Sequence, residues 1–203
     1  MGHGLAGEAA RRRAGAGMSG PFTRIGVTVT FLRQEFEPIL PGAAMPTDTS
    51  IVRLGAPTVA FYRYLYATVG APYVWWLRRT LPDEDIAALL ASPAVSIHVL
   101  YRDGEPAGFF ELEERLPAAV NLSYFGLMPH LVGHGMGPAF LRASIDEAWR
   151  RRPRMLTVNT CTADHPRAMP TYLRAGFVRV REVREIWDVP NRLGLVIPAR
   201  LMV

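Results

Sequence analysis

Apolar positions along the chain follow two periods. Over residues 23–33 the run TRIGVTVTFLR is rich in β-branched residues, which predicts a strand. A Pro/Thr/Gly-rich connection follows over 38–50. Over 56–69, Val59, Tyr62, Tyr66 and Val69 recur at helical spacing. Pro82-Asp83-Glu84-Asp85 opens a second helix, with acids in its first turn where the helix dipole favours them, and Ser92-Pro93 ends it. The pattern then changes. Residues 95–102 predict a strand, Asp103-Gly104-Glu105-Pro106 a turn and 107–114 the hairpin partner. Residues 119–128 predict a third strand of this run. Residues 136–150 form an amphipathic pattern with Phe140, Leu141, Ile145, Ala148 and Trp149 on one face. A strand over 155–161, a short helix over 165–175 and a strand over 177–189 complete the order β, α, α, β, β, β, α, β, α, β, an α/β chain.

Composition narrows the chemistry. The chain has 203 residues, enough for one such domain, and its 49% hydrophobic content is ordinary for a globular protein. Residues 1–20 are dominated by Ala, Gly and Arg without periodicity and predict a disordered tail, leaving 21–203 as one domain. No apolar stretch follows Arg11-Arg12-Arg13, so that run does not read as a secretory signal. No stretch approaches the roughly 18 apolar residues of a membrane-spanning helix, so no membrane partner is expected. The single cysteine, Cys161, excludes an intrachain disulfide and a Cys-rich zinc site, and suits a reducing, cytoplasmic setting; no metal is expected. All 23 basic residues are arginine, so a lysine Schiff base and the lysine of a phosphate-binding P-loop are excluded. The formal charge of +5 favours an anionic ligand or a nucleic acid, although drift in composition toward arginine accounts for it equally well.

The most informative segment runs Tyr124-Phe125-Gly126-Leu127-Met128-Pro129, His130-Leu131, then Val132-Gly133-His134-Gly135-Met136-Gly137. It reads as a strand, a glycine-rich turn and a helix. Glycines there let the backbone curl tightly and leave N–H groups at the helix start without internal partners, a site suited to pyrophosphate. The spacing is G-x-G-x-G, and the next strand ends in Asn159-Thr160-Cys161-Thr162 without the acid of a dinucleotide fold. By themselves these glycines are also compatible with a turn that binds nothing. The second segment, Asp164-His165-Pro166-Arg167-Ala168-Met169-Pro170-Thr171-Tyr172-Leu173-Arg174-Ala175-Gly176-Phe177, reads as cap, short helix, glycine stop and strand. Asp164 suits the N-cap and Pro166 the first turn. Pro170 misfits a helix unless the helix begins late. Tyr172 taken alone reads as a core tyrosine.

Together the two segments resemble the GNAT superfamily of acyl-CoA-dependent N-acetyltransferases. Val132-Gly133-His134-Gly135-Met136-Gly137 matches the glycines of the family's Arg/Gln-x-x-Gly-x-Gly/Ala motif, with Val132 in the Arg/Gln place. His165, Ala168, Tyr172, Gly176 and Phe177 match the spacing of Asn-x-x-Ala-x-x-x-Tyr-x-x-x-Gly-Phe, with His165 in the Asn place. The resemblance covers about 95–189. It implies a mixed, mostly antiparallel central sheet flanked by helices, with a splayed strand pair at the CoA site. It further implies direct acetyl transfer from acetyl-CoA to a primary amine of a small molecule or peptide. Backbone groups of Gly126, Leu127 and Met128 would hold the pantetheine arm, and the amides of Gly133, His134, Gly135, Met136 and Gly137, with Val132, the pyrophosphate. Asn159, His165 and Pro166 complete the candidate cofactor contacts. Tyr172 matches the tyrosine that protonates the leaving thiolate, a general-acid role worth roughly 10²–10⁴-fold.

A base must take a proton from the acceptor. Glu111 and Glu113 lie on one face of their strand, and Glu114 on the other. Glu111, then Glu113, is the candidate; an exposed acidic strand end is the plainer reading of both. Tyr62, Tyr66, Trp75 and Trp76, with Glu111, are candidates for the acceptor pocket, against the plainer reading of helix-packing aromatics. His165 caps its helix, contacts CoA or is merely tolerated there. A catalytically silent CoA-binding sensor and a transferase of another acyl-CoA share these motifs. Nucleic acid is an unlikely partner, since the arginines are scattered with no exposed aromatic platform. The apolar residues 193–203 could pair with a second copy in a homodimer.

Overall fold

The computed structural model describes residues 20–38, 44–115 and 118–203; the expected tail, apart from Gly20, lies outside them. In chain order the strands are β1 (Phe22–Gln34), β2 (Thr49–Arg53), β3 (Val95–Arg102), β4 (Glu105–Arg115), β5 (Ala119–Leu127), β6 (Met155–Cys161) and β7 (Val178–Pro190). The α-helices are α1 (Val59–Gly70), α2 (Leu77–Thr80), α3 (Asp83–Ala91), α4 (Met136–Trp149) and α5 (Ala168–Arg174). The strands form one sheet in the order β2-β3-β4-β5-β6-β1-β7. Every neighbouring pair is antiparallel except β5 and β6. This is the expected mixed, mostly antiparallel sheet.

Alternation sorts neighbouring side chains onto the two faces. Phe110 of β4 enters a core with Phe140 and Ile145 of α4, whereas Phe109 enters a core with Tyr62, Leu65 and Ile86 of α1 and α3. A third core joins Ile25, Val27 and Val29 of β1 to Val74, Trp76 and Leu201. The segment 193–203 belongs here: Leu201 is buried and Met202 bridges to Ile25, so the apolar tail packs on its own chain.

Three departures from the sequence reading have local causes. β2 was hidden in the expected connection because only Ile51 and Val52 are apolar in its five residues and it pairs along one side only. The hairpin turn is tighter than four residues: Asp103 and Gly104 both take positive φ, 51° and 83°, and Glu105 already begins β4. Helix α5 begins at Ala168, three residues beyond the expected start, so Pro170 occupies its first turn, where a missing N–H costs nothing. Asp164 is therefore not its N-cap.

Candidate functional site

β5 and β6 pair in parallel only from Ala119↔Met155 to Leu122↔Val158. Beyond that, β6 stays with β1 as far as Cys161, while β5 follows β4. The parting coincides with a register shift that leaves Ser123 as an extra residue in β5, between the Leu112↔Leu122 and Glu111↔Tyr124 pairs. Such a bulge bends and twists its strand, which carries β5 away from β6. From Ser123 to Leu127, β5 is thus paired on one edge, and its other edge lines a cleft of about 770 Å³.

The glycine turn closes one end of this cleft. Gly133 and Gly135 take φ of 92° and 82°, in the left-handed region that a side chain resists. Gly135 is the N-cap of α4 and offers no side-chain hydrogen bond to it. The third helical residue is Pro138, which has no N–H, so Met136 and Gly137 carry the unpaired donors of the helix start. A Cβ placed on Gly133, Gly135 or Gly137 would meet nothing within 4 Å. Fourteen residues of α4 add their dipole to these donors. Open backbone, free N–H groups and a positive helix end together suit the phosphates of CoA.

The opposite wall comes from the segment between α1 and α2. Val74 holds φ of 57°, costly for a β-branched residue, and this turn directs Trp75 and Trp76 into the cleft. Trp75 packs on Tyr66 and Tyr124, with ring centroids 5.4 and 5.0 Å apart. Gly126 is needed for this wall as well: a Cβ there would run into Val69 of α1. The Trp75 indole N–H reaches across to Asp164 Oδ1 at 3.4 Å.

Behind the aromatics lies a buried ion pair. Glu111 is fully buried; its Oε2 accepts from the Tyr62 hydroxyl at 2.7 Å and its Oε1 from Arg78 Nη2 at 2.8 Å. Arg78 lines the cleft and lies over the Tyr124 ring, 5.4 Å from its centroid. Burial would lower its guanidinium, but Glu111 above all holds it higher than its ordinary value. Glu113 lines the far end of the cleft, bound to Arg115 at 2.6 Å and to the Ser123 hydroxyl at 3.3 Å.

Tyr172 and Asp164 line the same cleft. Burial first, and the charge of Asp164 second, hold the Tyr172 phenol above its ordinary value, so it stays protonated. Asp164 Oδ2 accepts from Thr160 Oγ1 at 2.7 Å and from the Cys161 N–H at 2.8 Å. Its Oδ1 takes the long indole contact, and the Cys161 thiol also hydrogen-bonds to this carboxyl. Burial raises this carboxyl, with its hydrogen bonds opposing. Burial likewise pushes the Cys161 thiol up to about 12, leaving it a poor nucleophile. His165 Nδ1 accepts from the Arg167 N–H at 3.0 Å, capping the turn before α5.

Of the residues singled out from the sequence, Gly126, Leu127, Val132, Gly133, Gly135, Gly137, Asn159, His165, Tyr172, Tyr66, Trp75, Trp76 and Glu113 all line this one cleft. Glu111 and Tyr62 do not: both are sealed behind it, consumed by their own hydrogen bond. The side chains of Met128 and Met136 point into cores, and those of His134 and Pro166 are outside the cleft lining. Asp164 and Arg78 also line the cleft and are not among the sequence candidates for it. Asp164 carries a signal, an acid before a short helix, that reads as a cap. Arg78 carried none, because its importance depends on a partner 33 residues away.

A sequence profile of the acetyltransferase (GNAT) family matches residues 62–177. Among curated protein sequences none matches. Among solved structures, a GCN5-related N-acetyltransferase from Sphaerobacter thermophilus aligns with a TM-score of 0.57 at 16% identity, over 90% of this chain and 57% of that one. A tandem GNAT protein from the clavulanic acid biosynthesis pathway aligns with a TM-score of 0.57 at 16% identity, over 90% and 58%. The ribosomal-protein-S18-alanine N-acetyltransferase from Escherichia coli aligns with a TM-score of 0.53 at 15% identity, over 70% and 94%. The chain therefore spans under three fifths of the two longer proteins, and 70% of it spans nearly all of the shorter one. At these identities the likeness is one of fold.

Proposed function

The chain belongs to the acetyltransferase (GNAT) family, and from that premise we propose that it moves an acetyl group from acetyl-CoA directly to a primary amine of a small molecule or peptide. The observation that carries this reading is the continuity of one cleft from the glycine turn, past the open edge of β5, to Tyr172 and the aromatic wall.

Acetyl-CoA supplies the activated acyl carbon. The residues divide the remaining work. The N–H groups at the start of α4 hold the phosphates, and the unpaired edge of Gly126 and Leu127 orients the pantetheine arm and its carbonyl. Tyr172, kept protonated in its buried place, donates to the departing sulfur. We assign the proton-accepting role to Asp164. Glu111 has both oxygens engaged, and Glu113 lies four residues along β4 from Phe109, the partner of Gly126, roughly 13 Å at strand rise. Asp164 lines the cleft, and its Oδ1 carries a long indole contact of 3.4 Å that an incoming proton can replace. Its raised pKa makes it a stronger base than an ordinary carboxylate. Once it takes a proton, its charge no longer opposes ionisation of Tyr172, so acceptance at one residue eases donation at the other.

Calorimetric titration with acetyl-CoA tests the cofactor half of this reading. The protein should bind it, and Gly135→Glu, which places a carboxylate at the phosphate site on a backbone of φ 82°, should abolish the binding. Equal binding by both proteins would move the cofactor elsewhere.

A further inference from the structure

Arg78 is incompletely used. It gives one N–H to Glu111, and no other acceptor among the described residues meets its guanidinium. The side chain is 14% exposed, and the exposed part is on the cleft. A guanidinium presents five donors in a fixed fork that matches a carboxylate. Here that fork is held still by the ion pair behind it and by the Tyr124 ring beneath it.

The place is suited to the acceptor rather than to CoA. Tyr124 precedes Gly126 by two residues on the same face of β5, about 7 Å along the strand. That spacing puts Arg78 one small molecule away from the edge where the acyl group would lie. Around it, Tyr66, Trp75, Trp76, Leu77, Leu81 and Leu89 give an apolar wall. The cleft also lacks what a polycation needs. Of its lining acids, Glu113 is bound to Arg115 and Asp164 is assigned to the one amine that reacts, leaving Asp85 for any further cationic group.

We infer that the acceptor carries a carboxylate beside its amine and an apolar or aromatic body, and that Arg78 is the residue that binds the carboxylate. An apolar amino acid has this chemistry. The inference rests on the amine-acetylating reading only for the role of the amine; the carboxylate site stands on the geometry of Arg78.

Two measurements test it together. The first compares CoA thiol release with L-phenylalanine and with L-phenylalaninamide, which differ in the one group Arg78 would recognise. A hydrogen-bonded charge pair predicts that kcat/KM favours the acid by about 10- to 100-fold. The double variant Arg78→Gln/Glu111→Gln removes both buried charges at once, so neither is stranded, and should bring the ratio to about one. A preference for the amide, or one for the acid that survives the double variant, overturns the inference. The second titrates tryptophan fluorescence of the unaltered protein, without any acyl-CoA, with 3-phenylpropanoate and 3-phenylpropanamide. Selective binding of the acid supports the site, and equal or absent binding overturns it. Acid-selective binding by a protein that does not bind acetyl-CoA would sink the transferase reading alone. Acetylation of neutral amines by a protein blind to the acid would sink this inference alone.

Discussion

On its β5–β6 side the cleft is made of main chain: an unpaired strand edge, two glycines at positive φ and the free N–H groups of α4. On its α1–α2 side it is made of side chains: Trp75 and Trp76 set by the strained turn at Val74, and Arg78 anchored by the buried Glu111. The first wall depends on which residues are absent or small. The second depends on partners far apart in sequence. A backbone-built site tolerates wide variation in its side chains, so it can be shared across a family. A side-chain-built site changes with each substitution, so on the proposed reading it is the wall that would set acceptor choice. The relation predicts that damage to the second wall is first a loss of structure, and damage to the first wall first a loss of ligand.

The largest expected effect follows from the ion pair. Glu111→Ala leaves Arg78 without its counter-charge and the Tyr62 hydroxyl without its acceptor. Breaking a buried pair from one side costs about 3–5 kcal/mol. Denaturant unfolding should show a loss of that size. A variant of unchanged stability would mean that the side-chain wall is not held from behind, and the contrast between the walls would fail.

Much of the first wall was legible and little of the second, for the same reason. Val132-Gly133-His134-Gly135-Met136-Gly137 declares a tight turn and a helix start by composition alone, because only glycine accepts φ of 92° and 82° at those places without strain. Tyr172 was found through its fixed offset from Gly176 and Phe177. The bulge at Ser123, which opens the cleft, has no residue signature; it exists as a mismatch between two strands. Glu111 shows the limit most plainly. An acid in an otherwise apolar strand reads as a candidate base or an exposed end. Here it is buried rather than exposed, and Arg78 and Tyr62, brought up by α2 and α1, hydrogen-bond to its two oxygens.

The next effect is on turnover. Asp164→Asn keeps the size of the side chain and removes its basicity. It should lower kcat by about 10²–10³-fold, within the range for a general base. The pH profile separates this from a structural role. A base works deprotonated, so the wild-type rate should climb as pH rises through a pKa held by burial above the ordinary aspartate value. That limb should vanish in the variant. A parallel fall at all pH values, with the limb kept, would make Asp164 a support for Trp75 rather than a base.

The smallest effect sharpens the contrast best. Gly137 sits in the first turn of α4 without a positive φ, and a Cβ there would meet nothing within 4 Å. Nothing in the fold, then, requires glycine at this position. Alanine should be accepted and should raise stability by up to about 1 kcal/mol, the usual difference between the two in a helix. If the helix start is a ligand cradle, the same methyl occupies space that a phosphate needs, and acetyl-CoA affinity should fall by an order of magnitude, about 1.4 kcal/mol in the opposite direction. Stability and affinity moving apart at one residue is a result that packing alone cannot give, since a merely structural glycine would lose both or neither. Unfolding and calorimetry on the single variant Gly137→Ala read the two quantities. A more stable protein with unchanged affinity would leave the turn a fold element, and the distinction between the two walls would reduce to one of sequence pattern.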